Sequence, residues 1–223
     1  MTAPRRGLFV TGTDTGVGKT LVSAALLAAL GDAAVYYKPV QTGDDDDTAT
    51  VARLSGGATL PPGLSLPMPA APYRAALAAG TTVELSALVS GAHGAGDRLL
   101  VAEGAGGVLV PLTARETTCD LIAALGLPTL VVARTRLGTL NHTMLTVEAL
   151  LRRGLSVAGV VLNGPPDTTP PSLVDTLHAA LPAEVRVVAE VPELPGDDPL
   201  TPARLHALAH AHLTPWIRRW RPA

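Results

Sequence analysis

Of the 17 basic residues in this 223-residue chain, only Lys19 and Lys38 are lysines; the rest are arginines. An ammonium is a compact point charge on a flexible stem and a guanidinium a planar fork, so lysine suits places that need a small mobile charge. Lys19 lies in Gly12-Thr-Asp-Thr-Gly-Val-Gly-Lys-Thr20, between a short apolar run and an apolar helical pattern. In that setting a Gly-rich turn aims backbone N–H groups at phosphate oxygens, the lysine reaches the β- and γ-phosphates, and the next hydroxyl ligates Mg²⁺. The usual spacing places the first glycine where Thr13 stands, with Gly12 one residue early. A plain connecting turn is the alternative; the Gly-Lys-Thr tail and its strand-to-helix setting favour a phosphate cradle.

Bound nucleoside triphosphate with Mg²⁺ calls for one or two protein carboxylates. Arg98-Leu-Leu-Val-Ala-Glu103-Gly-Ala-Gly-Gly107 reads as a buried strand ending in an acid, so Glu103 falls at the strand's carboxyl end. Asp44 to Asp47 follow the second lysine stretch, Lys38-Pro-Val-Gln-Thr-Gly43. That acidic run also fits the start of a helix, where acids interact favourably with the macrodipole. Elsewhere the chemistry is thin. Cys119 has no evident partner and reads as a small buried hydrophobe. His206, His210 and His212 lack a following glutamate and read as a helix face. Trp216 and Trp220 read as rings packed on the domain beside solvated arginines.

These residues need a scaffold. Short apolar runs at 7–11, 33–37, 98–102, 129–133, 157–162 and 185–191 read as buried strands. Helical patterns at 19–30, 47–54, 84–93, 118–125, 140–152, 172–181 and 202–212 alternate with them. Strand-helix alternation predicts an α/β fold, a doubly wound, mainly parallel sheet with helices on both faces and ligands at the strands' carboxyl ends. The proline-rich stretch 60–71 breaks the rhythm and reads as an ordered excursion or lid. With 47% hydrophobic residues, residues 1–223 can bury a core as one domain. A net charge of -2 carries no footprint for nucleic acid, and no apolar run suggests a membrane span. One cysteine and an N-terminus without a signal-like apolar region lead to an expectation of cytoplasm.

Four blocks together resemble the dethiobiotin synthetase family: Val10 to Thr20, Lys38 to Gly43, Glu103 to Gly107, and Leu137-Gly-Thr-Leu-Asn-His-Thr-Met-Leu-Thr146. The first alone would fit any P-loop protein; four in this order span most of the chain. The resemblance implies a P-loop NTPase-like fold and an ATP-dependent, Mg²⁺-requiring carboxylation and ring closure of 7,8-diaminopelargonic acid with CO₂ or bicarbonate. It implies that Lys38 and Lys19 are catalytic and flank one transferred phosphoryl group. Nucleotide contacts would come from Gly16, Val17, Gly18, Lys19, Thr20 and Leu21, and from Asp47. Further contacts would come from Glu103, Gly104, Ala105 and Gly106, from Asn163 and Gly164, and from Pro192, Glu193 and Leu194. Thr20, Asp47 and Glu103 would hold the metal, with a slip of one residue open within the four-acid run.

Thr15, Lys38 and Thr42 would face the diamine. Gly138, Thr139, Leu140 and Asn141 would receive its carboxylate tail from the neighbouring subunit of a homodimer. Asn141 also fits a helix N-cap, and Asn163 also fits a turn residue. The family's loop often carries glutamate where Gly16 stands, so that contact is absent here. Three rivals share parts of the pattern. A partitioning-type switch ATPase has an extra lysine where this chain has Asp14. An amidoligase would need an ammonia-supplying domain for which there is no room. A nucleotide-binding paralogue without carboxylase activity would keep the same loop.

Overall fold

A computed structural model describes residues 6–167, 169–192 and 200–220. At its centre is β1 (Gly7–Gly12), buried along its whole length. Successive side chains of a strand point to opposite faces, so Leu8 and Val10 enter one core and Phe9 the other. The same alternation divides β2 (Ala34–Tyr37): Tyr36 joins Leu8, and Tyr37 joins Phe9. Strands apolar on both faces require cover on both, which parallel sheets obtain from crossover helices.

The remaining strands are β3 (Val40–Thr42), β4 (Ala58–Thr59), β5 (Leu64–Leu66), β6 (Leu99–Gly107), β7 (Thr129–Arg134), β8 (Val157–Asn163) and β9 (Val187–Val191). Seven of the strands form one parallel sheet in the order β4-β2-β6-β1-β7-β8-β9. The helices are α1 (Lys19–Leu30), α2 (Asp47–Ser55), α3 (Pro72–Ala78), α4 (Leu85–Gly91), α5 (Thr118–Leu125), α6 (Thr139–Leu151), α7 (Leu173–Ala180), α8 (Pro202–Leu208) and α9 (Thr214–Ile217). Side chains of α1, α2 and α8 pack into the core of Leu8, and those of α3 to α7 into the core of Phe9. No helix among the described residues is long and apolar enough to cross a membrane.

The expected long elements are present with shifted ends. β6 continues to Gly107, because the glycine run stays extended beside β1, with Gly12 opposite Gly107. The helix expected over 84–93 ends at Gly91 and tightens into a 3-10 turn, and the one expected over 202–212 passes into a π-helical turn after Leu208. β3, β4 and β5 span two or three residues each, too few to show a period. The stretch 60–71 is anchored: β5 pairs in parallel with β3, and Gly63 N–H donates to the Lys38 carbonyl at 3.0 Å.

The chain leaves β1 toward β2, returns through β6, and crosses β1 to reach β7. That reversal opens a crevice at the carboxyl ends of β6, β1 and β7, the switch point where ligands bind in open α/β sheets. Gly104 of β6 lies against the floor of this crevice; a Cβ there would come within 2.9 Å of Phe9 Cε1. Gly104→Ala should therefore lower unfolding free energy by about 1–3 kcal/mol in urea denaturation. Phe9→Leu in the same background should restore part of that loss, because it removes the ring atom the methyl meets.

Candidate active site

The loop after β1 is shaped by close approaches. A Cβ on Gly12 would meet the Asp14 carbonyl at 2.6 Å and Lys19 Nζ at 3.0 Å, which explains a glycine at this position and not one residue later. Gly16 and Gly18 have φ of +68° and +98°, open to glycine and strained for other residues. Asn163, the last residue of β8, donates from Nδ2 to the Val17 carbonyl at 2.8 Å and so ties the loop to the sheet. It is thus a loop anchor, not a free turn residue. α1 starts at Lys19 with no side-chain cap on its first N–H groups, the arrangement that receives anions.

Both lysines end in one cleft of about 550 Å³, between this loop, residues 38–42 and a wall at Pro69–Pro72. Lys38 follows β2, whose pairing with β6 sets Tyr37 opposite Ala102 and brings Lys38 beside Glu103. Its Nζ lies 2.6 Å from Asp47 Oδ2 and 2.8 Å from Glu103 Oε1. Burial works against the ammonium, but Glu103 and Asp47 outweigh it, and the Lys38 pKa is raised. Lys19 Nζ donates to the Asp14 carbonyl at 3.0 Å. For Lys19, burial outweighs the attraction of Glu103, the Lys38 charge adds to it, and the pKa is lowered.

The acidic run is sorted by helix geometry. Asp46 is the N-cap of α2, accepting from Ala49 N–H at 2.8 Å. Asp47 begins the first turn and points inward, where Oδ1 accepts from the Thr20 hydroxyl at 2.7 Å. The Thr20 hydroxyl oxygen also lies 3.2 Å from Glu103 Oε1, within reach of its one hydrogen, and Tyr36 donates to Glu103 Oε2 at 3.1 Å. Burial and the charge of Glu103 push the Tyr36 phenol far up, so it remains a donor throughout the working range. Thr20, Asp47 and Glu103 thus converge as hard oxygen donors with two carboxylates, the set that Mg²⁺ takes when phosphates complete its shell. An ammonium seated between the same two carboxylates marks the place as one that demands positive charge, so the residues fit the ion.

Thr15, Gly16, Gly18, Thr42, Ala105 and Gly106 line the cleft with the lysines, and Gly104 offers its carbonyl to Lys38 at 3.5 Å. Val17 is buried behind the loop. On the far side of Gly16 a second pocket of about 260 Å³ is lined by Leu21, Arg134, Asn163, Gly164 and Pro192. Glu193 and Leu194 lie outside the described residues. Gly138 to Asn141 line neither space. Gly138, with φ +94°, is the N-cap of α6, which corrects the alternative of Asn141 as cap; Asn141 is exposed in the first turn. Cys119 is buried and free. His206 Nε2 lies 3.1 Å from the Ser55 carbonyl, a packing role. Sequence reasoning missed Tyr36 and Arg134; both sit at or next to the carboxyl end of a central strand, the one signal that points to them.

A family model described as an AAA domain matches residues 6–200. An ATP-dependent dethiobiotin synthetase BioD of Anaeromyxobacter dehalogenans (strain 2CP-C) is 54% identical over 178 residues, 73% of this chain and 79% of that protein. Another, from Paramagnetospirillum magneticum (strain ATCC 700264 / AMB-1), is 45% identical over 193 residues, 85% of this chain and 89% of that protein. The chain belongs to the dethiobiotin synthetase family. Among solved structures, a ParA family ATPase from Chlorobium tepidum TLS aligns with a TM-score of 0.56 over 93% of this chain and 99% of that one. At 14% identity that likeness shows the fold alone.

The pH dependence of this cluster follows from its signs. For Asp47, burial raises the pKa, but Lys38 and Thr20 outweigh it and hold the carboxyl below its ordinary value of 3.8. A depressed carboxyl contributes stability that is present above its unfolded value and lost as pH falls through the folded one. Wild type should therefore lose thermal midpoint between about pH 5 and pH 2 more steeply than Asp47→Asn. The variant should start lower at neutral pH, and melting curves across that range check both.

Proposed function

We propose that this chain is an ATP-dependent dethiobiotin synthetase that works as one domain, carboxylating 7,8-diaminopelargonic acid and closing its ureido ring. The observation that carries this reading is that Lys19, Lys38, Thr20, Asp47 and Glu103 meet in one cleft beneath the P-loop. The identity to enzymes of that name supports it. One amine takes up CO₂ and loses a proton to give a carbamate. A carbamate oxygen attacks the γ-phosphorus of ATP, the bond to the β,γ-bridging oxygen breaks, and ADP leaves. The second amine then attacks the carbonyl carbon of the mixed anhydride, releasing inorganic phosphate and a proton. Mg²⁺ held by Thr20, Asp47 and Glu103 would neutralise phosphate charge.

No step needs a protein nucleophile, and the charge state of Lys38 fits that. A raised pKa keeps it an ammonium, so it serves charge stabilisation of the carbamate and the transferred phosphoryl group, and not proton abstraction. The buried Lys19 amine, at the start of α1, faces the phosphates from the loop side. Purified protein with ATP, Mg²⁺, bicarbonate and the diamine should release phosphate and give the ring product by mass spectrometry. Lys38→Arg should lose turnover by about a hundredfold or more, since a planar fork cannot replace a compact charge.

The reading includes a homodimer with the site at its interface. Leu140, Met144 and Leu145 are exposed along α6, with Leu137 just before its N-cap and Leu109 also exposed. An apolar patch of this kind marks an interaction surface. A pocket of about 410 Å³ lined by Asp14, Thr15, Gly106, Leu109 and Leu145 links that face to the loop, which suits a substrate tail reaching a partner's Gly138–Asn141. Its ATP supply and free buried cysteine fit the cytoplasm. Leu145→Asp should shift the sedimentation coefficient to that of a monomer and cut diamine turnover while nucleotide binding persists.

A further inference from the structure

Arg134, the last residue of β7, has no part in the roles assigned above. Its Nη2 reaches across the P-loop and donates to the Thr15 carbonyl. Among the described residues it forms no ion pair, and its Nε is buried without an acceptor. The crossing passes close over Gly16, where a Cβ would sit 3.2 Å from Nη2. The glycine leaves the space over the loop to the guanidinium. Gly16 lines both the cleft of the two lysines and the 260 Å³ pocket, and Arg134 lines the latter. The guanidinium therefore stands at the junction of the two spaces.

Two consequences follow from that position. A peptide unit is planar and trans, so its carbonyl and the next N–H point in opposite directions. By holding the Thr15 carbonyl, Arg134 turns the Gly16 N–H away from itself and presets one donor of the loop. In addition, a guanidinium has five N–H donors and no acceptor capacity, and with its charge unpaired it is suited to a phosphate oxygen. In a nucleotide, the ribose and the α-phosphate lie between the base and the terminal phosphates, and of the two only the α-phosphate is an anion.

We propose that Arg134 is a nucleotide-binding residue that presets the P-loop through Thr15 and donates its remaining N–H groups to the α-phosphate of a bound nucleoside di- or triphosphate. Arg134→Gln keeps an N–H donor without the charge; Arg134→Lys keeps the charge without the fork. Calorimetric titration with ADP and ATP should show Kd raised about 10- to 100-fold in the Gln variant, with partial recovery in the Lys variant. The gap between wild type and the Gln variant should narrow as salt rises, because screening weakens the charge that was lost. Thermal midpoints without nucleotide should stay close to wild type. Unchanged ADP and ATP affinity in both variants overturns the proposal. So does a lowered midpoint with unchanged affinity, or a gap indifferent to salt. Should Arg134→Gln not fold, Arg134→Lys decides the matter: its single nitrogen lacks the spread of the planar fork that reaches Thr15 and a phosphate together, and wild-type affinity there would overturn it.

Discussion

The Lys38 ammonium between Asp47 and Glu103 is the interaction on which the rest of the site depends. Each of these groups is unaffordable alone in a buried place: breaking a buried ion pair by deleting one partner costs about 3–5 kcal/mol, because the other charge is left without compensation. Glu103 is fully buried, and Lys38 nearly so. The cluster holds because every carboxylate oxygen has a named donor, from Lys38, Thr20 or Tyr36. It is also a poised arrangement, since the same carboxylates suit a divalent ion and the ammonium suits anionic substrates.

Assembling that cluster requires four separate segments to arrive at one edge. β1 delivers the loop and Lys19, β2 delivers Lys38, β6 delivers Glu103, and the first turn of α2 delivers Asp47. β6 lies between β1 and β2, so its acid stands within reach of both. The small β3-β5 pairing then closes the side of the cleft, carrying Thr42 on β3 and leading from β5 into the Pro69–Pro72 wall. Close-approach glycines at 12, 16 and 18 allow the loop to fold over the amines without side chains in the way.

The fold itself does not choose the chemistry. A ParA family ATPase shares the architecture at 14% identity, and functions are carried by sites grafted on folds. In this chain the site is local: a second lysine after β2 and the paired acids that hold it.

The phosphate loop, the two lysines, the acid closing β6 and the strand-helix alternation were legible in the sequence, because each rests on local spacing or on a period of two or 3.6 residues. The short β3, β4, β5 and α3 were not, since they are too brief to show a period and exist through pairing or packing with distant residues. Nor could spacing choose among four consecutive aspartates; a helix start did, by using Asp46 as cap and turning Asp47 inward. Tyr36 and Arg134 belong to no motif. Their roles come from strand order, which sets β2 beside β6 and β7 beside β1, and that order is decided by how apolar faces pack in three dimensions and not by any neighbouring residue along the chain.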